Sequence, residues 1–309
     1  MTLLKYFIYL LPLLLFVVIT TSSELKEREL GSRYNPIRLY FTPSVDAKTI
    51  TTNAKELTAF LEAETGYYFV TAVPSSFIAV VEAFGTKKAD IAIINTFSYL
   101  MSNEKYGAQA LLRVVRRGGQ TSYKGQIITL VDSGIDSIQD LEGKKMAYVD
   151  PSSTSGYILP KFLLMQKGIQ PSDETFAMKH DNVVTMVYQG QVDAGATFYS
   201  PPDPVTGQML DARMRVLQQF PDVEKKIKII AFTPEIPNDP VVFRKDLPQE
   251  MKDKVVNALL KFVSTPEGVK ALGRIYSVEG LVKTTDADYD ILRQMLAEQE
   301  IALEEMLNK

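Results

Sequence analysis

The sequence predicts an α/β fold built from βαβ units, and three observations carry the prediction. Short apolar runs of strand length alternate with stretches of helical apolar spacing from residue 37 onward. Cap and turn residues punctuate the junctions between them. At 309 residues, 46% hydrophobic and 23% charged, the chain has a globular composition and length for roughly two domains. Strands that alternate with helices imply mainly parallel sheets.

Taken in order, residues 24–35 are polar and charged and read as a linker. Ile37 to Phe41 is a first strand, followed by the turn Thr42-Pro43-Ser44. A helix from about Asp46 to Glu64 carries Leu57, Phe60 and Leu61 on its apolar face. Tyr68 to Val73 is a second strand. Ser75 and Ser76 then cap a helix reaching Phe84. Ala89 to Ile94 is a third strand and Thr96 to Glu104 a third helix. Strands follow near Leu111–Arg116 and Gln126–Val131, then a short helix, Ser137 to Gly143, with a glycine stop. Lys145 to Val149 is a strand, Tyr157 to Lys167 and Val183 to Gln189 are helical, and Ala194 to Thr197 is a strand. The proline-rich stretch 200–209 is a loop. A strand near Lys228–Phe232 leads to a turn-rich segment, 233–240, and the amphipathic helices Gln249–Val263 and Asp286–Asn308 complete the chain.

Composition closes off several functions. Net charge is −3, so no basic field invites nucleic acid, and any anion must be captured by a local site. Without cysteine there are no disulfides, thiolate metal sites, cysteine nucleophiles or lipid-bearing cysteine, so a lipoprotein anchor is excluded. A single histidine, His180, excludes a multi-histidine metal centre, and neither metal nor cofactor is expected. No P-loop, G-x-S-x-G or H-E-x-x-H motif is present, so no enzyme activity is expected. At the N-terminus, Lys5, the apolar run Tyr6 to Ile19 and small hydroxyl residues after it form an export signal over residues 1–23. It has no clean A-x-A cleavage site, so both a cleaved signal peptide and an uncleaved anchor fit.

The most informative stretch is 150–160, Asp-Pro-Ser-Ser-Thr-Ser-Gly-Tyr-Ile-Leu-Pro. A strand runs into four consecutive hydroxyl residues, Ser152, Ser153, Thr154 and Ser155, and a helix follows. Hydroxyls and backbone N–H groups at a helix start form an anion site, and Gly156 lets the backbone come close. A plain Ser/Thr helix cap is the other reading, although one hydroxyl suffices for that.

Five blocks in order resemble the solute-binding proteins of ABC importers for phosphate, phosphite and phosphonates, over about residues 36–295. They are Pro74-Ser75-Ser76-Phe77 with the helix to Ala83; Lys88 to Ala92 with Asn95-Thr96-Phe97-Ser98-Tyr99; Asp150 to Tyr157 with Pro160; His180-Asp181 with Gly190 to Ala194; and Ile236-Pro237-Asn238-Asp239 with Val241-Val242 and Leu247-Pro248. The resemblance implies a two-lobed periplasmic-binding-protein-like fold of type II, with two interdomain crossings and the ligand cleft between the lobes. Lobe one would hold 36–123 and 236–309, and lobe two 124–235. Ligands of open α/β sheets bind beyond the carboxyl ends of the strands, where the hydroxyl loops fall.

The implied function is extracytoplasmic capture of a small phosphorus oxyanion by a monomer that delivers it to a membrane permease and ATPase. A ligand-binding module of a sensor kinase on the same fold is the alternative. Ser153, Thr154 and Ser155 are the leading oxyanion donors, and no arginine accompanies them. Ser75, Ser76 and Phe77 open the first ligand-facing helix. Phe77 stands where the family carries a ligand-touching tyrosine, which removes one polar contact. Thr96 and Tyr99 face an oxyanion or the cleft wall, or else cap and pack. His180 is either a structural hydrogen-bonder or an anion donor with pH-dependent affinity. Tyr40, Ser44, Tyr199 and Ser200 stand at strand ends near the cleft mouth, and Asn238 and Asp239 belong to the crossing turn.

Overall fold

The computed structural model describes residues 29–297. The export segment expected at 1–23, residues 24–28 and the end of the last expected helix lie outside them. Residues 29–35 form a turn on the body of the protein: the Gly31 N–H donates to the Asn35 carbonyl at 2.7 Å, and the Gly31 carbonyl accepts the Tyr68 N–H at 2.8 Å.

Lobe one begins with β1 (Ile37–Phe41), α1 (Ala47–Thr65), β2 (Phe69–Ala72), α2 (Phe77–Gly85), β3 (Ile91–Ile93), α3 (Thr96–Tyr106) and β4 (Gln109–Arg116). Lobe two contains β5 (Ser122–Leu130), β6 (Lys145–Tyr148), α4 (Leu159–Gln166), β7 (Asp173–Phe176), α5 (His180–Tyr188), β8 (Ala194–Tyr199), α6 (Val223–Lys226) and β9 (Ile227–Pro237). The chain returns to lobe one with β10 (Pro240–Phe243), α7 (Gln249–Phe262), α8 (Pro266–Tyr276), β11 (Val278–Lys283) and α9 (Asp290–Ala297). The sheet orders are β11-β4-β10-β3-β1-β2 and β7-β6-β8-β5-β9.

Local sequence explains the first elements. In β1, Ile37, Leu39 and Phe41 are buried and alternate with half-buried residues, the period of a pleated strand. Asp46 caps α1 by accepting the Lys48 and Thr49 N–H groups at 2.9 and 3.1 Å, and Gly66 ends it in the left-handed region at φ 74°. Ile50, Ala54, Leu57 and Leu61 form its buried stripe. Burial stabilises by about 1.5–3 kcal/mol for each large side chain among them.

The sheets are mixed, not mainly parallel. β1 pairs in parallel with β2 and β3, and β6 with β7 and β8. β10 runs antiparallel to β3 and β4, β11 to β4, and β5 to β8 and β9. The strands β4, β5, β9 and β10 are joined by direct passages between lobes, and these set directions that helix–strand alternation does not encode.

The passages lie side by side, because β5 and β9 pair from Ser122 opposite Pro237 to Leu130 opposite Ile227. Asn238 staples them. Its backbone N–H donates to the Thr121 carbonyl at 2.9 Å, and its amide donates to the Val114 and Gln120 carbonyls at 2.9 and 2.8 Å. One apolar core fills lobe one around α1, α7 and α8, while a second runs from α2 and α3 of lobe one into lobe two. The lobes therefore stand closed on one another.

Candidate functional site

The hydroxyl loop is held by its own first residue. Asp150 Oδ1 accepts both the Ser152 N–H, at 2.9 Å, and the Ser152 hydroxyl, at 2.8 Å. The chain then enters a π-helical turn, Thr154–Ile158, before α4. The sequence reading placed an ordinary helix from Tyr157; the wider turn begins three residues earlier. Gly156 makes the turn possible, since a Cβ there would fall 2.4 Å from Val149 Cγ2 and 2.7 Å from Val149 Cβ. Ser153 Oγ accepts the Gly156 N–H at 3.2 Å, which leaves its hydroxyl hydrogen to point elsewhere.

This loop forms one wall of a small cavity between the lobes, lined also by Phe77, Asn95, Arg116, Tyr123, His180, Arg215 and Asp239. About 40 Å³ is open to the centre of a water-sized sphere. One water needs roughly 10–15 Å³ by the same measure, so the space suits a solute of a few heavy atoms.

Thr154 holds the lobes together. Its hydroxyl donates to Asn95 Oδ1 at 3.0 Å and accepts the Phe97 N–H at 2.9 Å, which ties the loop to the start of α3. Ser153 and Ser155 are then the loop hydroxyls that serve the cavity. The Tyr123 phenol lines the same cavity, and burial together with the nearby Asp239 charge keeps it protonated.

His180 opens α5, and its Nδ1 accepts the Phe198 N–H at 3.3 Å. A ring nitrogen that accepts carries no proton, so Nε2–H is the donor. Burial and then the charges of Arg215 and Arg116 hold its pKa well below the ordinary histidine value. The imidazole is therefore a neutral donor at neutral pH; the sequence leaves open a structural hydrogen-bonder or an anion donor with pH-dependent affinity.

Two arginines line the cavity, against the arginine-free site read from the hydroxyl loops. Arg116, at the end of β4, contacts Asp239 Oδ2 through Nη2 at 3.2 Å and stands 5.4 Å from the Tyr123 ring centroid. Arg215, in the 3₁₀ turn Ala212–Val216, lies 4.7 Å from the Phe198 ring centroid. Its Nη1 donates to the Ser44 carbonyl at 2.9 Å, a second tie between the lobes. Asp239 sits in the return passage, where burial raises its carboxyl pKa while Arg116 and Arg215 oppose the rise.

Of the residues singled out from sequence, the structure brings Phe77, Ser153, Thr154, Ser155 and His180 together, with Ser44 beside them. The others fall outside the lining. Ser75 is exposed, and Ser76 caps α2 by accepting the Ala79 N–H at 3.4 Å. The Thr96 hydroxyl donates to the Pro237 carbonyl at 2.7 Å. The Tyr99 phenol donates to Asp286 at 2.5 Å, and its ring packs edge-on against Tyr289 with centroids 4.9 Å apart. Tyr40, Tyr199 and Ser200 are not in the lining either.

Sequence reasoning missed Arg116, Arg215, Tyr123 and Asp239 as site residues. One signal was available: Arg116 shares the strand phase of the buried Ala110, Leu112 and Val114, a position that normally takes an apolar side chain. Among the described residues no group of three or more acidic or histidine side chains is placed to hold a metal ion. No helix among them is long and apolar enough to cross a membrane.

Comparison with known proteins fits this geometry. A phosphonates-binding periplasmic protein of Escherichia coli is 27% identical over 206 residues, 64% of this chain and 58% of that one. A phosphate-import protein of Mycolicibacterium smegmatis is 27% identical over 175 residues, 52% of this chain and 54% of that one. The chain thus spans little more than half the length of these curated relatives. Among solved structures, a binding protein component of an ABC phosphonate transporter from Pseudomonas aeruginosa has TM-score 0.74 and 20% identity, covering 85% of this chain and 87% of its own. A Prochlorococcus marinus protein in complex with methylphosphonate has TM-score 0.71 and 15% identity, covering 86% and 98%. These likenesses establish the two-lobed type II periplasmic-binding fold. Residues 39–289 match the model of a family described as ABC transporter, phosphonate, periplasmic substrate-binding protein, and the chain belongs to that family.

Proposed function

We propose that this protein captures a small phosphorus oxyanion outside the cytoplasm and delivers it to an ABC permease and its ATPase. The observation that carries the reading is convergence. Hydroxyls of Ser153 and Ser155, the His180 Nε2–H and the guanidinium groups of Arg116 and Arg215 border one cavity of a few water volumes. Charge-assisted donors converging on so small a space favour an oxyanion over a neutral solute. The ties Thr154–Asn95 and Arg215–Ser44 suit a cleft that closes on its ligand.

The lobes are assigned as 36–123 with 236–309, and 124–235. The protein acts as a monomer, exported through its N-terminal segment and not lipid-anchored. The family description names a transporter component and favours the importer reading over the sensor one. Isothermal titration of the exported region against phosphate, phosphite, methylphosphonate and 2-aminoethylphosphonate, with sulfate as control, tests the reading. Tight binding of one phosphorus anion supports it; silence across the panel by folded protein overturns it.

A further inference from the structure

Tyr99 falls outside the cavity, yet it is fully buried and bonded to a segment far along the chain. That segment is the 3₁₀ turn Asp286–Tyr289 with α9. The Tyr99 phenol donates to Asp286 Oδ1 at 2.5 Å. Arg293 Nη2 donates to the same oxygen and, at 3.0 Å, to Asn103 Oδ1 of α3. Tyr289, also fully buried, lies edge-on to Tyr99, and its hydroxyl donates to the Asn238 carbonyl at 3.3 Å. One segment thus straps α3 to the return passage.

Four consecutive carbonyls of that passage accept hydrogen bonds, each from lobe one. Pro237 takes the Thr96 hydroxyl at 2.7 Å and Asn238 takes the Tyr289 hydroxyl. Asp239 takes the Val114 N–H at 3.0 Å and Pro240 the Ile94 N–H at 3.2 Å. Thr96, Val114 and Ile94 belong to the sheet and the helix start beside it, whereas Tyr289 reaches in from the strap. A stretch held at every carbonyl turns as one body with lobe one, so the pivot of this passage lies ahead of Pro237. Asp239 lines the cavity, and Asn95 and Phe97, at the start of α3, hold Thr154 across the cleft. The strap therefore stands behind both the cavity wall and the clasp between lobes.

We infer that Tyr289 and Tyr99 are positioning residues for oxyanion capture: through Asn238 and Asp286 they fix the return passage to α3, so that Asp239 and the clasp keep their places as the lobes move. Neither phenol touches the ligand. The inference rests on the oxyanion reading of the cavity and adds the residues that hold its wall.

The test is calorimetric titration of the native chain, Tyr289→Phe and Tyr99→Phe with methylphosphonate, phosphite and phosphate. Both substitutions keep the ring and remove one hydroxyl. Each should weaken the anion that the native protein binds most tightly by about threefold to tenfold, the range one buried hydrogen bond carries. The double variant should lose less than the product of the two, because both act on one passage. Leu61→Ala, at the far end of α1, is the control for stability alone: it should lower the melting temperature and leave affinity unchanged. Amide exchange at Asn238 and Asp239 should quicken in Tyr289→Phe and not in Leu61→Ala. Unchanged affinity in either folded phenylalanine variant overturns the inference. So does an equal loss in Leu61→Ala, which would make affinity a mere follower of stability. Folded native protein that binds none of the three anions removes the oxyanion reading itself, and this inference with it.

Discussion

Two strand-to-helix junctions face each other across the cleft, and they use their hydroxyls in opposite ways. In lobe one, β3 runs through Asn95 into α3. Asn95 Oδ1 accepts the Ser98 N–H at 3.0 Å, and the Thr96 hydroxyl is committed to the Pro237 carbonyl. In lobe two, β6 runs through Asp150 into a π-helical turn, which leaves the Ser153 and Ser155 hydroxyls on the cavity wall. Both junctions read alike in sequence, as small polar residues after an apolar strand. The lesson is that a hydroxyl counts toward an anion site only after its own hydrogen has been traced. Lobe one mainly supplies the clasp for the loop, and lobe two supplies most of the donors.

The widest breach of this difference is Gly156→Ala. The added methyl meets two Val149 carbons at 2.4 and 2.7 Å, inside contact distance, and the turn must open or shift. Overpacking of this kind costs about 1–3 kcal/mol of stability. We expect a lower melting temperature together with loss of oxyanion binding, since the serines are placed by the turn. A variant that melts lower yet binds with unchanged affinity would show that the loop's shape does not set the site.

A smaller effect separates the neutral donor His180 from the charged groups around it. Native His180 resists protonation because it is buried beside Arg215 and Arg116, whereas in the unfolded chain it titrates near its usual value of about 6.5. Below that pH the unfolded state takes up a proton that the native state refuses. Stability should therefore fall as pH drops, by about 1.4 kcal/mol per unit until the native imidazole also titrates. Asp239 acts in the opposite sense at lower pH, because its native carboxyl takes a proton early. Comparing urea midpoints of native protein and His180→Gln between about pH 7 and pH 5 isolates the histidine contribution. Equal slopes for the two proteins would mean that His180 is not buried as a neutral ring.

The fold was legible wherever caps and apolar period agreed. β1 through α3 follow the sequence reading closely, because Asp46, Ser76 and Asn95 cap visible helices and glycines end two of them. α8 was missed although Thr265 caps it, accepting the Gly268 N–H at 3.0 Å, and Pro266 opens it. β11 and β7 carry too few buried residues to stand out, and each exists by pairing at a sheet edge. The single helix expected from Asp286 divides into a 3₁₀ turn, Asp286–Tyr289, and α9. At the site, the hydroxyl run and the lone histidine were readable as contiguous chemistry. Arg116, Arg215, Tyr123 and Asp239 belong to four separate segments, and only the two passages between lobes bring them together.

The finest test of the comparison places one substitution at two helix starts. Ser76 and Ser153 are both N-cap serines, accepting backbone N–H groups at 3.4 and 3.2 Å. As caps they are near equivalents, and removing either should cost about 0.5–2 kcal/mol of stability, with Ser76 at the low end because its bond is the longer. They differ in what their hydroxyl hydrogens reach. Ser153 borders the cavity, and Ser76 does not. Ser153→Ala should therefore weaken oxyanion binding by about 1–3 kcal/mol beyond any change in stability, while Ser76→Ala leaves affinity alone. Calorimetry on the pair decides the matter. If Ser76→Ala weakens binding as much as Ser153→Ala, the start of α2 reaches the ligand after all, and the division of labour between the lobes collapses.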